Sequence, residues 1–529
     1  MMQQCDNKHY KLYPLTHWDF ILAFLCFVGG LVLYVRTLAP GLLRDDSAEF
    51  QTLAYTLGMT HPTGYPVYLL LAKLFTLLVP VRDIAYRVNL LSAVLAALVL
   101  SILYLAGRML AGWRLAAVAG ALSLGTIDLF WSQAIIAELY TAAAAFIATE
   151  FFLVLAWRQN GKWGYLFAAG LLGGLSLGVH STVVLIAPAI MIYLFLITRR
   201  RADWFAAIGG GALGLVLSLL AFLALDALNV PSSYFNSVAR PSLSVWGLTS
   251  TDFASPFQRL AFLYTAYQFR KFMLNSSVVG YNAGLYLQGM DWSVYILIAL
   301  GLVRLFTRHW KEALLISLSY VVMIAFVLTY AIWDIYVFFL PTFIPMMLII
   351  LSGLGALMDA VAWLLRCLRV VRWSALGVNF VIALLVVGLF IPTVPVVVES
   401  VRVGSPTFLA EWGLDEGPYP LRSPDLPHRQ ARAIVSRLEE NAIVFTNWGM
   451  LYDFYYVAHV EEGRTGLTFH ETFPQEGVTE FAQSARQYIA DNMGKRPIYT
   501  TEHSPGLLRY YKLIKVDDWL DLYRLELRP

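Results

Sequence analysis

The chain has 529 residues, of which 59% are hydrophobic, 14% aromatic and only 14% charged, with a formal net charge of +3 and a mean hydropathy of +0.63. Soluble domains carry about 45–50% apolar and about 25% charged residues, so a soluble multidomain enzyme, a disordered chain and a collagen-like chain are excluded. The small net charge argues against a nucleic-acid partner, and Cys5, Cys26 and Cys367 are too few and too scattered for a disulfide framework or a zinc site.

What remains is an α-helical polytopic membrane protein. A helix needs about 20 apolar residues to cross the hydrocarbon core, and eleven stretches qualify: 18–38, 88–107, 115–133, 139–156, 164–179, 181–198, 204–226, 292–307, 313–331, 337–358 and 374–397. The first is span-length and lacks a clear small-residue cleavage site, so it reads as retained. The run from Pro66 to Pro80 is short and carries Lys73, which suits an interfacial helix. The long run from Gly164 to Thr198 divides at Val179-His180-Ser181.

Five alternate loops, 107–114, 157–163, 199–203, 304–312 and 359–373, hold thirteen Lys and Arg residues, Arg366, Arg369 and Arg372 among them, against Asp203, Glu312 and Asp359. The positive-inside rule makes these loops cytoplasmic. The amino terminus is then expected in the cytoplasm and the carboxyl terminus outside, in a multi-pass protein of a cell (inner) membrane. Three large segments face outward: 39–87, 227–291 and 398–529. The division expected is a membrane domain over 1–398 and a small extracytoplasmic α/β domain over 399–529. In the latter, 442–446, 466–469 and 497–500 read as strands, and 429–440 and 476–492 as helices.

The densest polar cluster follows the first span: Arg44-Asp45-Asp46-Ser47-Ala48-Glu49-Phe50. Carboxylates crowded together raise one another's pKa, which suits a general base. The same residues, Asp46-Ser47-x-Glu49, also read as a capping box on a helix start. In His61-Pro62-Thr63-Gly64-Tyr65-Pro66 two prolines and a glycine fix a tight turn that presents His61 and Tyr65, or that only lays the next helix on the membrane.

These motifs, taken in order with Leu57-Gly58 and Tyr86-Arg87-Val88-Asn89-Leu90-Leu91-Ser92-Ala93, resemble a former domain-of-unknown-function family of multi-pass proteins. That family includes an animal protein O-mannosyltransferase and lies in the GT-C superfamily of membrane glycosyltransferases. Trp131-Ser132-Gln133, Glu138-Leu139-Tyr140 and Gly174–His180 extend the resemblance; Ala48, Thr63 and Val179 depart from the usual Gly, Pro and His.

The resemblance implies a GT-C fold and an inverting transfer of a sugar, mannose by the family's habit, from a polyprenyl-phosphate donor to an acceptor hydroxyl. It makes Asp46 the base, Asp45 the alternative, and Glu49 a residue that binds the acceptor or tunes Asp46. Donor or substrate contacts are expected from His61, Tyr65, Arg87, Asn89, Glu138, Tyr140 and His180. Asp334 and Tyr336 stand at another outer turn. Arg36, Arg240, Arg259, Arg270 and Lys271 are cations able to meet either phosphate or lipid headgroups. Glu150 lies within a span, nearer the cytoplasmic side, and is left out of the site. No tightly bound cofactor is expected. The acidic loop alone could hold only a weak oxygen-ligated divalent cation, and no nucleotide fingerprint is present. The partners expected are membrane lipid, the lipid-linked donor, and a protein or glycolipid acceptor. Two other classes stay open: a transporter or flippase, for which no internal repeat speaks, and a non-catalytic scaffold subunit.

Overall fold

The computed structural model of the chain describes residues 12–367, 375–411, 423–475 and 477–528. Cys5, Arg369, Arg372 and the first residues of the 374–397 and 476–492 segments lie outside the described residues. His17–Arg36, Ile84–Ala111, Tyr140–Asn160, Arg201–Leu228, Trp310–Leu328 and Leu340–Cys367 are continuous helices long and apolar enough to cross a membrane.

The eleven-span reading needs correction in its geometry. The stretches at 115–133, 292–307 and 374–397 fall on helix pairs bent by 68°, 97° and 57°, and counting each pair once gives up to nine spans among the described residues. The stretches at 164–179 and 181–198 are shorter apolar helices, Trp163–Gly178 and Ser181–Ile197, which meet at His180. Hydropathy along a sequence registers apolar composition and is blind to a bend, so it counts segments rather than crossings.

Small residues set a close helix contact. A Cβ on Gly170 or Gly174 would lie 2.1 or 2.2 Å from a carbonyl oxygen of Arg201–Leu228, and one on Gly210 or Gly214 would meet Trp163–Leu175 as closely. Backbones packed this tightly gain van der Waals contact that lipid cannot offer. At one end of the bundle the basic loop residues find acidic partners. Fully buried Asp19 receives Arg108 at 3.2 Å and Arg114 at 2.9 Å, Arg158 lies 3.3 Å from Glu312, and Arg304 and Arg308 both reach Asp359.

The other end carries the connecting segments and a five-stranded sheet: β1 Ile443–Thr446, β2 Thr468–Glu471, β3 Ile498–Thr500, β4 Tyr511–Lys515 and β5 Tyr523–Leu527. Strand order is β2-β1-β3-β5-β4, with β1, β2 and β3 parallel and the last two antiparallel. The edge pair β4 and β5 has no counterpart in the sequence reading, because Lys512, Lys515, Arg524 and Glu526 dilute its apolar alternation. The flanking helices are Leu426–Val435 and Gln483–Asn492, shorter than expected.

Alternation along β1 gives the sheet two faces. Ile443 and Phe445 pack with Phe481, Ile489 and Leu525. Val444 joins Phe469, Leu451 and Tyr455 in a second core that also takes in Leu42, Ala48, Leu53 and Tyr234 from the earlier segments. The helix Trp448–Tyr455, which leaves β1, is thereby laid on the helix Asp45–Thr56, and the Thr52 hydroxyl donates to the Tyr452 carbonyl at 3.1 Å.

Candidate active site

The helix Asp45–Thr56 begins with two acidic residues at its positive end, where the macrodipole favours them. It is not closed by a capping box: Arg44 stands at the N-cap without a side-chain cap bond, and Glu49 turns elsewhere. Asp46 and Glu49, three residues apart, share one helix face, and both look towards His61. Glu49, with no exposed surface, accepts the backbone N–H of His61 at 2.8 Å, and its other oxygen lies 2.5 Å from His61 Nδ1. Asp46 Oδ2 lies 3.9 Å from His61 Nε2, and its Oδ1 accepts the indole N–H of Trp448 at 2.8 Å. The imidazole is bracketed by two carboxylates. Burial lowers His61, but the Glu49 and Asp46 charges outweigh it and push the group up to about 9. Burial raises Glu49 in turn, against the pull of His61.

The tight turn that delivers His61 depends on Gly64, whose φ of +92 is open to glycine and whose Cβ would lie 2.8 Å from Met59. The Tyr65 ring stacks on His180 at 6.0 Å and meets His61 edge-on at 5.4 Å. Tyr140 lies 5.5 Å from His180, whose Nδ1 is 2.6 Å from the Thr182 hydroxyl. Asp46, His61, Tyr65, Tyr140 and His180 come together around one cavity of about 210 Å³. That is the volume of about seven waters of bulk liquid, the scale of a monosaccharide.

Other expected residues lie outside this cavity. Asp45 turns to the helix Trp448–Tyr455, where a Gly449 Cβ would lie 3.0 Å from its carboxylate, and burial with the Asp46 charge pushes it up to about 6. Glu138 stands behind the lining, where Ser47 donates to it at 3.4 Å; burial and Asp46 hold it well above the usual carboxylate range. Arg87 and Asn89 are corrected by the structure. Arg87 donates to the carbonyls of Thr76, Val81 and Arg82, and Asn89 clamps the carbonyls of Ala39 and Gly41 while accepting from Gln51. Asn89 spends both amide protons on the segment that leads to Asp46, and Arg87 spends three of its five N–H donors on the backbone of 76–82. Arg259 is bound by Asp226 at 2.6 Å, and Arg36 donates to the Val401 carbonyl. Arg270 and Lys271, both exposed, flank the lining residues Phe269 and Met273. Glu150 lines a separate apolar cavity, away from His61 and Asp46.

Sequence reasoning missed Trp448, Glu471, Tyr234 and Gln268, and left Asp334 outside the site; all five line the cavity. A signal existed for two of them. Trp448 and Glu471 sit at the carboxyl ends of parallel strands, where open α/β sheets place their ligands. The lining contains no Lys or Arg, and Asp46, Asp334 and Glu471 make it acidic. Among the described residues no group of three or more His, Cys, Asp and Glu side chains is arranged to hold a metal ion.

The fold is GT-C-like. It aligns over 97% of this chain with ArnT from Cupriavidus metallidurans bound to undecaprenyl phosphate, covering 98% of that chain at a TM-score of 0.56 and 14% identity. It aligns over 92% of this chain with the Archaeoglobus fulgidus oligosaccharyltransferase tethered with an acceptor peptide, covering 69% of that chain at a TM-score of 0.53 and 12% identity. Within that class, residues 46–203 match the family described as the Protein O-mannosyl-transferase TMEM260 N-terminal domain. Protein O-mannosyl-transferase TMEM260 of Mus musculus is 32% identical over 133 residues, 25% of this chain and 19% of that protein. Its Dictyostelium discoideum namesake is 24% identical over 271 residues, 47% of this chain and 31% of that protein. The chain therefore spans under a third of the length of either relative. The matched region opens at Asp46 and contains Glu49, His61, Tyr65, Glu138, Tyr140 and His180.

Proposed function

We propose that this chain is a membrane glycosyltransferase that moves one sugar, mannose by its relatives' activity, from a polyprenyl-phosphate donor to an acceptor hydroxyl of a protein or glycolipid. One observation carries the reading: Asp46, anchored by Trp448, faces a monosaccharide-sized cavity beside a doubly bracketed His61. Asp46 takes the acceptor proton as the hydroxyl oxygen attacks the anomeric carbon from the face opposite the phosphate. The carbon–oxygen bond to the phosphate breaks, the configuration inverts, and the lipid phosphate leaves as an anion. Phosphate has a low pKa and leaves without a proton, so what it needs is a nearby positive charge. His61, pushed up to about 9, supplies it at neutral pH, with Arg270 and Lys271 at the rim receiving the departing lipid phosphate.

Tyr65, Tyr140 and His180 wall the sugar. Asp45, turned away, supports the helix start. The outer segments 39–87 and 227–291 and the α/β domain over 399–529 lie on the extracytoplasmic side in this proposal, with the amino terminus in the cytoplasm and the enzyme in a cell's inner membrane. The reading is supported by the basic loops, which gather at the end of the bundle remote from Asp46.

The test is transfer from radiolabelled polyprenyl-phosphate mannose by purified protein, with membrane-extract acceptors, beside Asp46→Asn. Transfer by the native chain and its loss in a folded variant support the proposal. Transfer that survives the variant moves the base elsewhere. Failure with every polyprenyl-phosphate sugar, with competent acceptors, favours a scaffold or transporter.

A further inference from the structure

Glu471 ends β2, paired in register with Thr446 of β1, and is 8% exposed. Its carboxyl faces the cavity and has no hydrogen-bond or ion-pair partner among the described residues. Burial holds it well above the ordinary carboxylate range, and the Glu502, Glu49 and Asp46 charges add to this. The carboxyl opens onto the cavity and bonds to no other described side chain, so the fold gains nothing from a glutamate here. Asp334 lines the same cavity. Its Oδ1 is buried without a partner, and burial, with Asp46, pushes the group up to about 7. Aromatic rings share the lining: Trp448 meets Tyr234 at 6.3 Å, and Tyr65 belongs to it too.

The chemistry of these walls selects the ligand. A protonated carboxyl both donates and accepts, which matches a hydroxyl, itself a donor and an acceptor. Aromatic faces match the C–H faces of a pyranose ring. An anion would meet the Asp46 charge with no Lys or Arg in the lining, so the phosphate stays at the His61 and Arg270 side while the uncharged ring enters.

We propose that Glu471, carried in by the carboxyl-terminal sheet, hydrogen-bonds the hydroxyls of the donor's hexose ring and so helps determine which sugar is accepted. This rests on the donor reading above. It makes the sheet a part of the sugar-selecting wall and not only a cover.

The experiment uses the full chain in detergent and two probes, a short-chain polyprenyl phosphate mannose and the same lipid phosphate without sugar, titrated by calorimetry. The native chain binds the sugar-bearing lipid more tightly. Glu471→Ala loses about tenfold for that lipid, the scale of one hydrogen-bonded contact, with the bare lipid phosphate unchanged. Glu471→Gln, which keeps a donor and an acceptor, stays within about threefold of native. Thermal unfolding of Glu471→Ala stays near native, since the carboxyl bonds to no other described side chain. Equal losses for both lipids, or no loss for either, overturn the proposal. Glu471→Gln as defective as the alanine variant overturns it too, because it shows a need for charge. A native chain that binds both lipids equally removes the sugar contact and leaves the donor reading standing; one that binds neither removes the donor reading itself.

Discussion

Glu49→Gln separates a structural role for the Glu49–His61 pair from an electrostatic one. Glu49 is wholly buried and both its oxygens face donors on His61, so the amide keeps the shape and removes the charge. In the native chain His61 stands at about 9 against an unperturbed 6.5. At pH 7.5 that leaves about 97% of it protonated; return to 6.5 leaves about 9%. If protonated His61 balances the leaving phosphate, native kcat/KM is flat through neutrality and falls as pH rises through about 9. In the variant burial pulls His61 down with the Glu49 charge gone, and the fall moves to lower pH. Activity at pH 7.5 then drops at least about tenfold and recovers as pH falls. Stability follows the same sign. A group raised in the folded state contributes fully below its unfolded value of 6.5, and the contribution is lost as pH rises through about 9; the interval corresponds to about 3 kcal/mol. The assay is kcat/KM for sugar transfer from pH 5.5 to 9.5, with thermal unfolding at the same pH values. A variant that loses the same factor at every pH refutes the reasoning, as does a native profile without an alkaline limb.

Asp46→Asn lowers kcat by at least about a hundredfold, the usual contribution of a general base, and leaves the unfolding temperature near native because Asp46 is partly exposed; single-turnover kinetics and thermal scans check both. Trp448→Phe keeps the ring but loses the donor to Asp46. Hydrogen bonds to charged groups contribute about 1.5–3 kcal/mol, so kcat falls about ten- to a hundredfold with KM little changed, read from initial rates. Arg87→Ala leaves three loop carbonyls without their donor. It lowers thermal stability while KM for the donor at permissive temperature stays near native, whereas a phosphate ligand would raise KM.

Much of this was legible in order along the chain. Apolar runs mark a membrane bundle because a bilayer leaves a helix no other way to satisfy its backbone. Asp46, Glu49, His61 and Tyr65 were legible because they lie within twenty residues, joined by a helix period and a proline–glycine turn whose geometry is local. Tyr140 and His180 were reached through motif resemblance.

Tertiary structure decided the rest. Arg87 read as a phosphate ligand because a cation at a span's end has the right charge; only the fold shows its donors on Thr76, Val81 and Arg82. Asp45 and Asp46 are adjacent and chemically alike, and the choice between them rests on which one the helix start turns towards the cavity and which towards Gly449. Trp448 and Glu471 lie about 400 residues from Asp46, at the carboxyl ends of short strands, and nothing local along the chain ties them to it. They arrive there because one face of the sheet buries its apolar side chains on the same core as the Asp45–Thr56 helix. Local spacing fixes which residues share a helix face; which faces meet is settled by burial across the whole chain.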